Sequence, residues 1–238
     1  MDGNRKFRIK LFADGADIND MMAVYKQGLV SGFTTNPSLM RKAGVRDYER
    51  FAKEVLKDIR DMPISFEVFA DDFADMEREA RKIASWGNNV YVKIPVTNTR
   101  GESAVELIKK LSGDGLKLNV TAILNAEQVQ AVSEALAPSV PSIVSVFAGR
   151  IADTGRDPIP IMKESLGILK HNPKAELLWA SSRELFNVVQ AEMSGCHIIT
   201  VTNEILKKIP MVGKDLKELS LDTVKMFHSD AAAAGYSI

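Results

Sequence analysis

Residues 89–124 read NVYVKIPVTNTRGESAVELIKKLSGDGLKLNVTAIL, and the repeating unit of the whole chain is contained in them. A short apolar, β-branched run (89–96) is followed by a segment with helical spacing of apolar residues (102–112), a break at Gly113 and Gly115, and a second apolar run (117–124). Strand, helix and strand in that order form a βαβ unit with parallel strands. The same alternation extends in both directions. Further strands are expected at 9–13, 32–35, 64–70, 142–148, 175–180 and 197–202, which brings the total to eight. Helices are expected at 18–27, 47–59, 72–86, 126–136, 161–170, 183–193 and 204–208. No Pro/Gly/Ser-rich linker divides the series, and eight such units close naturally on themselves. The expected fold is therefore α/β, a single-domain (β/α)8 TIM barrel over residues 1–214. A C-terminal helical extension over 215–238 follows, longer than a barrel requires, and is expected to pack on a neighbouring subunit. Its apolar stripe of Leu221, Val224, Met226 and Phe227 supports that expectation. An open doubly wound sheet is the rival architecture, but residues 12–17 read FADGAD and lack its Gly-rich phosphate turn.

Composition narrows the partners. Lysine plus arginine and aspartate plus glutamate both total 31, so the net charge of zero offers no footprint for nucleic acid or an anionic membrane. Any anion must be held locally. Hydrophobic residues at 45% and charged residues at 26% match an ordinary globular chain, and no run of about 18 apolar residues marks a membrane span. The lone Cys196 excludes an intramolecular disulfide, and residues 1–10 are polar and lack the apolar stretch of a signal peptide. A cytoplasmic location is expected.

Barrel strands should be apolar, because one face fills the interior and the other packs on helices. Ionisable residues within them need a reason. In residues 89–96, Val92 and Ile94 take one face of the pleat, while Tyr91 and Lys93 take the other. If the aliphatic pair faces helices, Lys93 points into the barrel mouth. There desolvation disfavours its ammonium form and frees the amine to attack a carbonyl. A snorkelling lysine or a buried ion pair is the alternative. Glu67 lies in ISFEVFA (64–70), and Asp14 follows directly on IKLFA (9–13). Asn119 and Thr121, two apart, share a face of the fifth strand, where they could bind a ligand or a water. For Asp14 an Asx turn or helix cap is equally open, and for Thr121 ordinary β propensity. Arg150 follows the sixth strand, and Ser181 and Arg183 follow the seventh. Late strand ends in barrels often hold phosphate through backbone N–H groups, hydroxyls and guanidinium forks. Metal and cofactor chemistry is not expected: His171, His197 and His228 are scattered, His197 reads as core or rim, and no Gly-x-Ser-x-Gly elbow or Walker loop occurs.

Six pieces in barrel order carry a family resemblance: FTTNPS (33–38), VKIPV (92–96), NVT (119–121), SVFAGR (145–150), ASSR (180–183) and GCHIIT (195–200). On these the chain resembles the small transaldolases and their relatives, the fructose-6-phosphate aldolases, along nearly its full length. The resemblance implies a cofactor-free transfer of a dihydroxyacetone unit from a ketose phosphate to an aldose acceptor. Lys93 would match the Schiff-base lysine, and Asp14 the acid/base acting on the C4 hydroxyl. Glu67 and Thr121 would hold a proton-shuttling water. Thr34, Asn36, Asn119, Ser145 and Phe147 would contact the bound unit, and Arg150, Ser181 and Arg183 the phosphate. Two places depart from the usual pattern: Gly15 follows Asp14 where Ser or Thr is usual, and Ser182 replaces a common Phe. Relatives with Tyr and Gln at the places of Phe147 and Glu67 belong to the aldolase branch, so this chain resembles the transferase branch. The resemblance also implies a pentamer or a stacked decamer. An aldolase that releases free dihydroxyacetone, or a non-catalytic sugar-phosphate-binding barrel, would share the architecture.

Overall fold

A computed structural model describes residues 7–236. Residues 1–6 of the expected barrel segment and 237–238 of the expected extension lie outside the described residues. Eight strands close into a barrel: β1 (Lys10–Asp14), β2 (Gly32–Thr34), β3 (Ile64–Glu67), β4 (Val90–Pro95), β5 (Leu118–Ile123), β6 (Ser142–Val146), β7 (Ala175–Trp179) and β8 (Ile198–Thr202). All neighbours pair in parallel, and β8 closes on β1. The helices are α1 (Ile18–Gln27), α2 (Pro37–Lys42), α3 (Tyr48–Asp58), α4 (Phe73–Ala84), α5 (Val105–Gly113) and α6 (Ala126–Ala135). They continue with α7 (Ala148–Ala152), α8 (Ile159–Leu169), α9 (Phe186–Ser194), α10 (Asn203–Leu206) and α11 (Leu216–Ala233).

Strand alternation divides the core into two layers. Val90, Val92 and Ile94 of β4 join the large cluster between strands and helices. Tyr91 turns inward onto a smaller cluster of Phe12, Ile143, Leu178, Ala180 and Ile198. The inner cluster plugs the barrel beneath its mouth. Gly32 is required there, since a Cβ would lie 2.6 Å from the Phe12 ring. Side-chain caps fix where the helices begin: Asp17, Asn36, Asp47, Asp72 and Asn125 each accept a first-turn backbone N–H.

The main departures from the sequence expectation lie in β3, in the passage from β6 to α7, and in α2. Strand β3 ends at Glu67 rather than residue 70: the Val68 N–H still donates to the Lys93 carbonyl at 3.1 Å, but the Glu79 side chain captures the next two amides, with Phe69 and Ala70 N–H donating to its Oε2 at 2.7 and 2.9 Å. Strand β6 stops at Val146, where Phe147 (φ −82°, ψ 62°) turns the chain into α7, so Ala148 is helical. Helix α2 was not expected; Asn36 as N-cap and Pro37 at the first position start it. In the extension, α11 buries none of its residues within the chain, and Leu216 and Phe227 are 77% and 63% exposed. No helix among the described residues is long and apolar enough to cross a membrane.

Candidate active site

Barrel strands end at one mouth, and the groups expected to carry chemistry line a cavity of about 540 Å³ there. Its floor is set by strand register. Glu67 pairs with Lys93 across β3 and β4, and Lys93 with Asn119 across β4 and β5. Lys93 is buried, as the alternation of Val92 and Ile94 requires. Its Nζ lies 3.1 Å from Glu67 Oε2 and donates to the Thr35 carbonyl at 3.0 Å.

Asp14 ends β1 and faces the same floor. Thr34 Oγ1 donates to its Oδ1 at 2.9 Å, and Asn36 Nδ2 to its Oδ2 at 3.2 Å. Asn36 is orientated by a second task, because its Oδ1 accepts the Leu39 N–H at 2.9 Å and caps α2. With the oxygen committed to the helix, the amide nitrogen must face Asp14. Thr34 Oγ1 also lies 2.6 Å from Thr200 Oγ1. A hydroxyl has one proton, and that of Thr34 goes to Asp14, so Thr200 is the donor in this second bond. Burial pushes the Asp14 carboxyl above the usual carboxylate range, against the opposing pull of the Lys93 ammonium and the hydrogen bonds from Thr34 and Asn36.

Thr121 lines the cavity, and its Oγ1 is buried with no hydrogen-bond partner, an unsatisfied donor and acceptor beside a polar site. The β5 register shifts between Val120 and Ile123, and Ala122 at the shift has φ 62°. A non-glycine residue in that region costs about 1–3 kcal/mol, a strain that concentrates at functional sites. Asn119 does not line the cavity. It lies beneath it, where Nδ2 donates to Ser65 Oγ at 2.9 Å and Oδ1 accepts from Ser145 Oγ at 2.7 Å. Ser145, with its proton so directed, presents an acceptor to the cavity.

The opposite wall is basic. Arg150, Ser181, Ser182 and Arg183 line it, and the Arg150 guanidinium stands 5.6 Å over the Phe147 ring. Arg183 forms a fork onto Asp153, with Nε to Oδ1 at 3.0 Å and Nη2 to Oδ2; both side chains are 49% exposed. Ser181 has φ 67°. Its carbonyl packs so closely on Gly149 that a Cβ there would lie 1.6 Å from the oxygen. Ser182, the departure noted above, donates to the Thr200 carbonyl at 2.8 Å.

Apart from Asn119, every expected site residue lines this one cavity. Sequence reasoning missed Thr35, Thr200 and Asp153. Thr200 lay inside the GCHIIT piece, whereas an exposed aspartate just past the end of a short helix gives no signal. His197 directly precedes β8, at the end of the barrel away from this cavity, and is exposed, its Nδ1 accepting the Leu177 N–H at 2.9 Å. Among the described residues, no group of three His, Cys, Asp or Glu side chains could hold a metal ion.

Fold and site together define a (β/α)8-barrel protein with a buried lysine between two carboxylates at the carboxyl ends of its strands. The sequence profile of the Transaldolase/Fructose-6-phosphate aldolase family matches residues 11–238. A protein named "Probable transaldolase" from Caldicellulosiruptor saccharolyticus is 38% identical over 203 residues, covering 84% of this chain and 89% of its own length. One of the same name from a Thermoanaerobacter species is 36% identical over 231 residues, covering 97% of this chain and 100% of its own. The chain belongs to the transaldolase/fructose-6-phosphate aldolase family.

Proposed function

We propose that this protein is a transaldolase that carries a dihydroxyacetone unit from a ketose phosphate such as fructose 6-phosphate to an aldose phosphate, through a Schiff base on Lys93. The observation that carries this reading is the buried Lys93 amine, 3.1 Å from Glu67, with the protonable Asp14 on the same floor. Glu67 takes a proton from the Lys93 ammonium, and the free amine adds to the ketone carbon. The resulting carbinolamine loses water with a proton from Glu67, leaving a protonated imine. A water bridging Glu67 and the unpartnered Thr121 hydroxyl suits this exchange. The Asp14 carboxylate then takes the C4 hydroxyl proton. As the C3–C4 bond breaks, its electron pair passes into the imine, giving an enamine and a free aldehyde. Reversal of these steps on a second aldehyde, with Asp14 returning its proton, completes the transfer.

Phe147 favours transfer over release, because it lines the cavity without a hydroxyl to protonate the waiting enamine. Phosphate is assigned to Arg150, Ser181 and Arg183, and the sugar hydroxyls to Thr34, Asn36 and Ser145, with Asn119 acting through Ser145. A cytoplasmic homo-oligomer, pentamer or decamer, accounts for the exposed apolar residues of α11. Light scattering at the monomer mass of 26.2 kDa would exclude that assembly.

The test is intact-mass measurement after borohydride treatment with fructose 6-phosphate. A covalent adduct is expected on the wild type and none on Lys93→Met. Cleavage should be slow alone and fast with an aldose phosphate acceptor such as erythrose 4-phosphate. No adduct across several ketose phosphates would refute the lysine mechanism, and rapid acceptor-independent release would favour the aldolase reading.

A further inference from the structure

The β2–β3 edge of the barrel is irregular where it meets the lysine. Phe33 N–H donates to the Pro63 carbonyl at 2.9 Å and Thr35 N–H to the Ser65 carbonyl at 3.1 Å. With Phe33 paired to Ile64 and Thr34 to Ser65, the next rung of a parallel ladder runs from the Glu67 N–H to the Thr35 carbonyl. That rung is replaced. Glu67 N–H donates instead to Tyr48 Oη at 2.6 Å, and the Tyr48 hydroxyl donates back to the Glu67 carbonyl at 3.0 Å. The Thr35 carbonyl accepts Lys93 Nζ.

Tyr48 is held for this task from two sides. It is the first residue of α3, whose start is fixed by the Asp47 side chain accepting the Arg50 N–H at 2.9 Å. Its ring packs on Phe66, Phe69 and Trp86, with centroids 6.1, 4.6 and 5.5 Å away. Burial raises the hydroxyl well above the ordinary tyrosine range, so it stays protonated and able to donate.

We propose that Tyr48 is a positioning residue: its hydroxyl substitutes for the last β2–β3 rung, which fixes the backbone of Glu67 and leaves the Thr35 carbonyl to Lys93. Both acceptors of the lysine amine then depend on one side chain that does not itself line the cavity. Without the hydroxyl, the Glu67 amide can close the rung onto Thr35, withdrawing one acceptor from Lys93 and displacing the carboxylate that forms the other. The proposal rests on the lysine mechanism above.

Tyr48→Phe keeps the ring and removes the hydroxyl. The expected result is a thermal midpoint close to wild type, an unchanged KM for the ketose phosphate, and a kcat lower on the order of 10–100-fold, the scale of a small misplacement of a reacting group. The single-turnover rate of borohydride-trappable imine formation should fall by the same factor. In a Glu67→Ala background the substitution should have a smaller effect, because the carboxylate it positions is gone while the residue-67 N–H can still close onto Thr35. Trp86→Phe disturbs the same aromatic cluster without touching Glu67, and should lower the thermal midpoint but not kcat. Wild-type kcat in Tyr48→Phe, an equal fall in the Glu67→Ala background, or a loss of fold along with activity would each overturn the proposal. Absence of any adduct on the wild type overturns the lysine mechanism itself, whereas a wild-type adduct with a normal Tyr48→Phe refutes only the role of Tyr48.

Discussion

Lys93 and Arg183 are both cations facing one cavity, yet they are held in opposite ways. The lysine side chain is 9% exposed, rises from the middle of a strand, and is gripped by a backbone carbonyl and a carboxylate whose places the sheet register sets. The arginine is 49% exposed, follows a strand end, and is gripped by Asp153, the residue that closes the five-residue helix α7. The groups to which proton transfer is assigned in the proposed mechanism sit on β1–β5, where neighbouring strands leave little freedom. Those assigned to the phosphate sit on the connections after β6 and β7, where an exposed carboxylate could give way to an anion. Position is fixed on one side of the cavity and exchangeable on the other.

The sharpest way to break this contrast is at the floor. Asp14→Asn removes the proton acceptor without changing shape, and kcat is expected to fall by about 100- to 10,000-fold, the usual range for a positioned general acid or base. The pH profile carries a second signature. Because burial raises the Asp14 carboxyl above the ordinary carboxylate range, the acid limb of wild-type kcat should lie at correspondingly higher pH and vanish in the variant. An acid limb that persists in Asp14→Asn would assign it to another group.

At the exchangeable wall the effects should be smaller and substrate-selective. Arg150→Ala or Arg183→Ala removes a charged hydrogen bond worth about 2 kcal/mol, or roughly 30-fold in kcat/KM, for phosphorylated donors. Donors without phosphate should be nearly indifferent. Equal losses on both kinds of donor would make these arginines supports of the rim and erase the distinction drawn here.

The smallest effect concerns stability. A carboxyl whose folded pKa is raised favours the folded state fully below its unfolded pKa, and that contribution is lost as pH rises through the folded value. Asp14→Asn, which carries no charge, should therefore melt at a higher temperature than wild type at neutral pH. The difference should shrink as pH falls below the raised pKa. A variant less stable than wild type at every pH would show that Asp14 holds the mouth together through its bonds to Thr34 and Asn36.

The same contrast explains what could be read from the chain. Lys93, Glu67 and Thr121 stood out because polar side chains interrupt apolar strands, and the period of two gave Lys93 its direction from its neighbours. Arg150, Ser181 and Arg183 were legible as strand-end residues, but their partners were not: nothing in the order of residues joins Arg183 to Asp153, 30 positions away. Tyr48 was hidden for another reason. An aromatic residue opening an amphipathic helix reads as core, and its ring does pack there; only its hydroxyl, bonded to the Glu67 backbone, reaches toward the site. Asn119 was read on the strand and face where it lies, but alternation gives the face of a residue and not its depth in the barrel, so its bonds to Ser65 and Ser145 carried no signal.

One consequence of the Thr34 and Thr200 hydroxyls reaches beyond Asp14. While Asp14 is a carboxylate, donation runs from Thr200 to Thr34 to the acid. Once Asp14 is protonated it becomes a donor, and the sequence can invert by rotation of two hydroxyl bonds with no heavy atom displaced. The charge state of the acid on β1 is thereby written into the orientation of an O–H bond on β8, where Thr200 lines the same cavity. A bound sugar on that side would meet a hydrogen-bond acceptor before proton transfer and a donor after it.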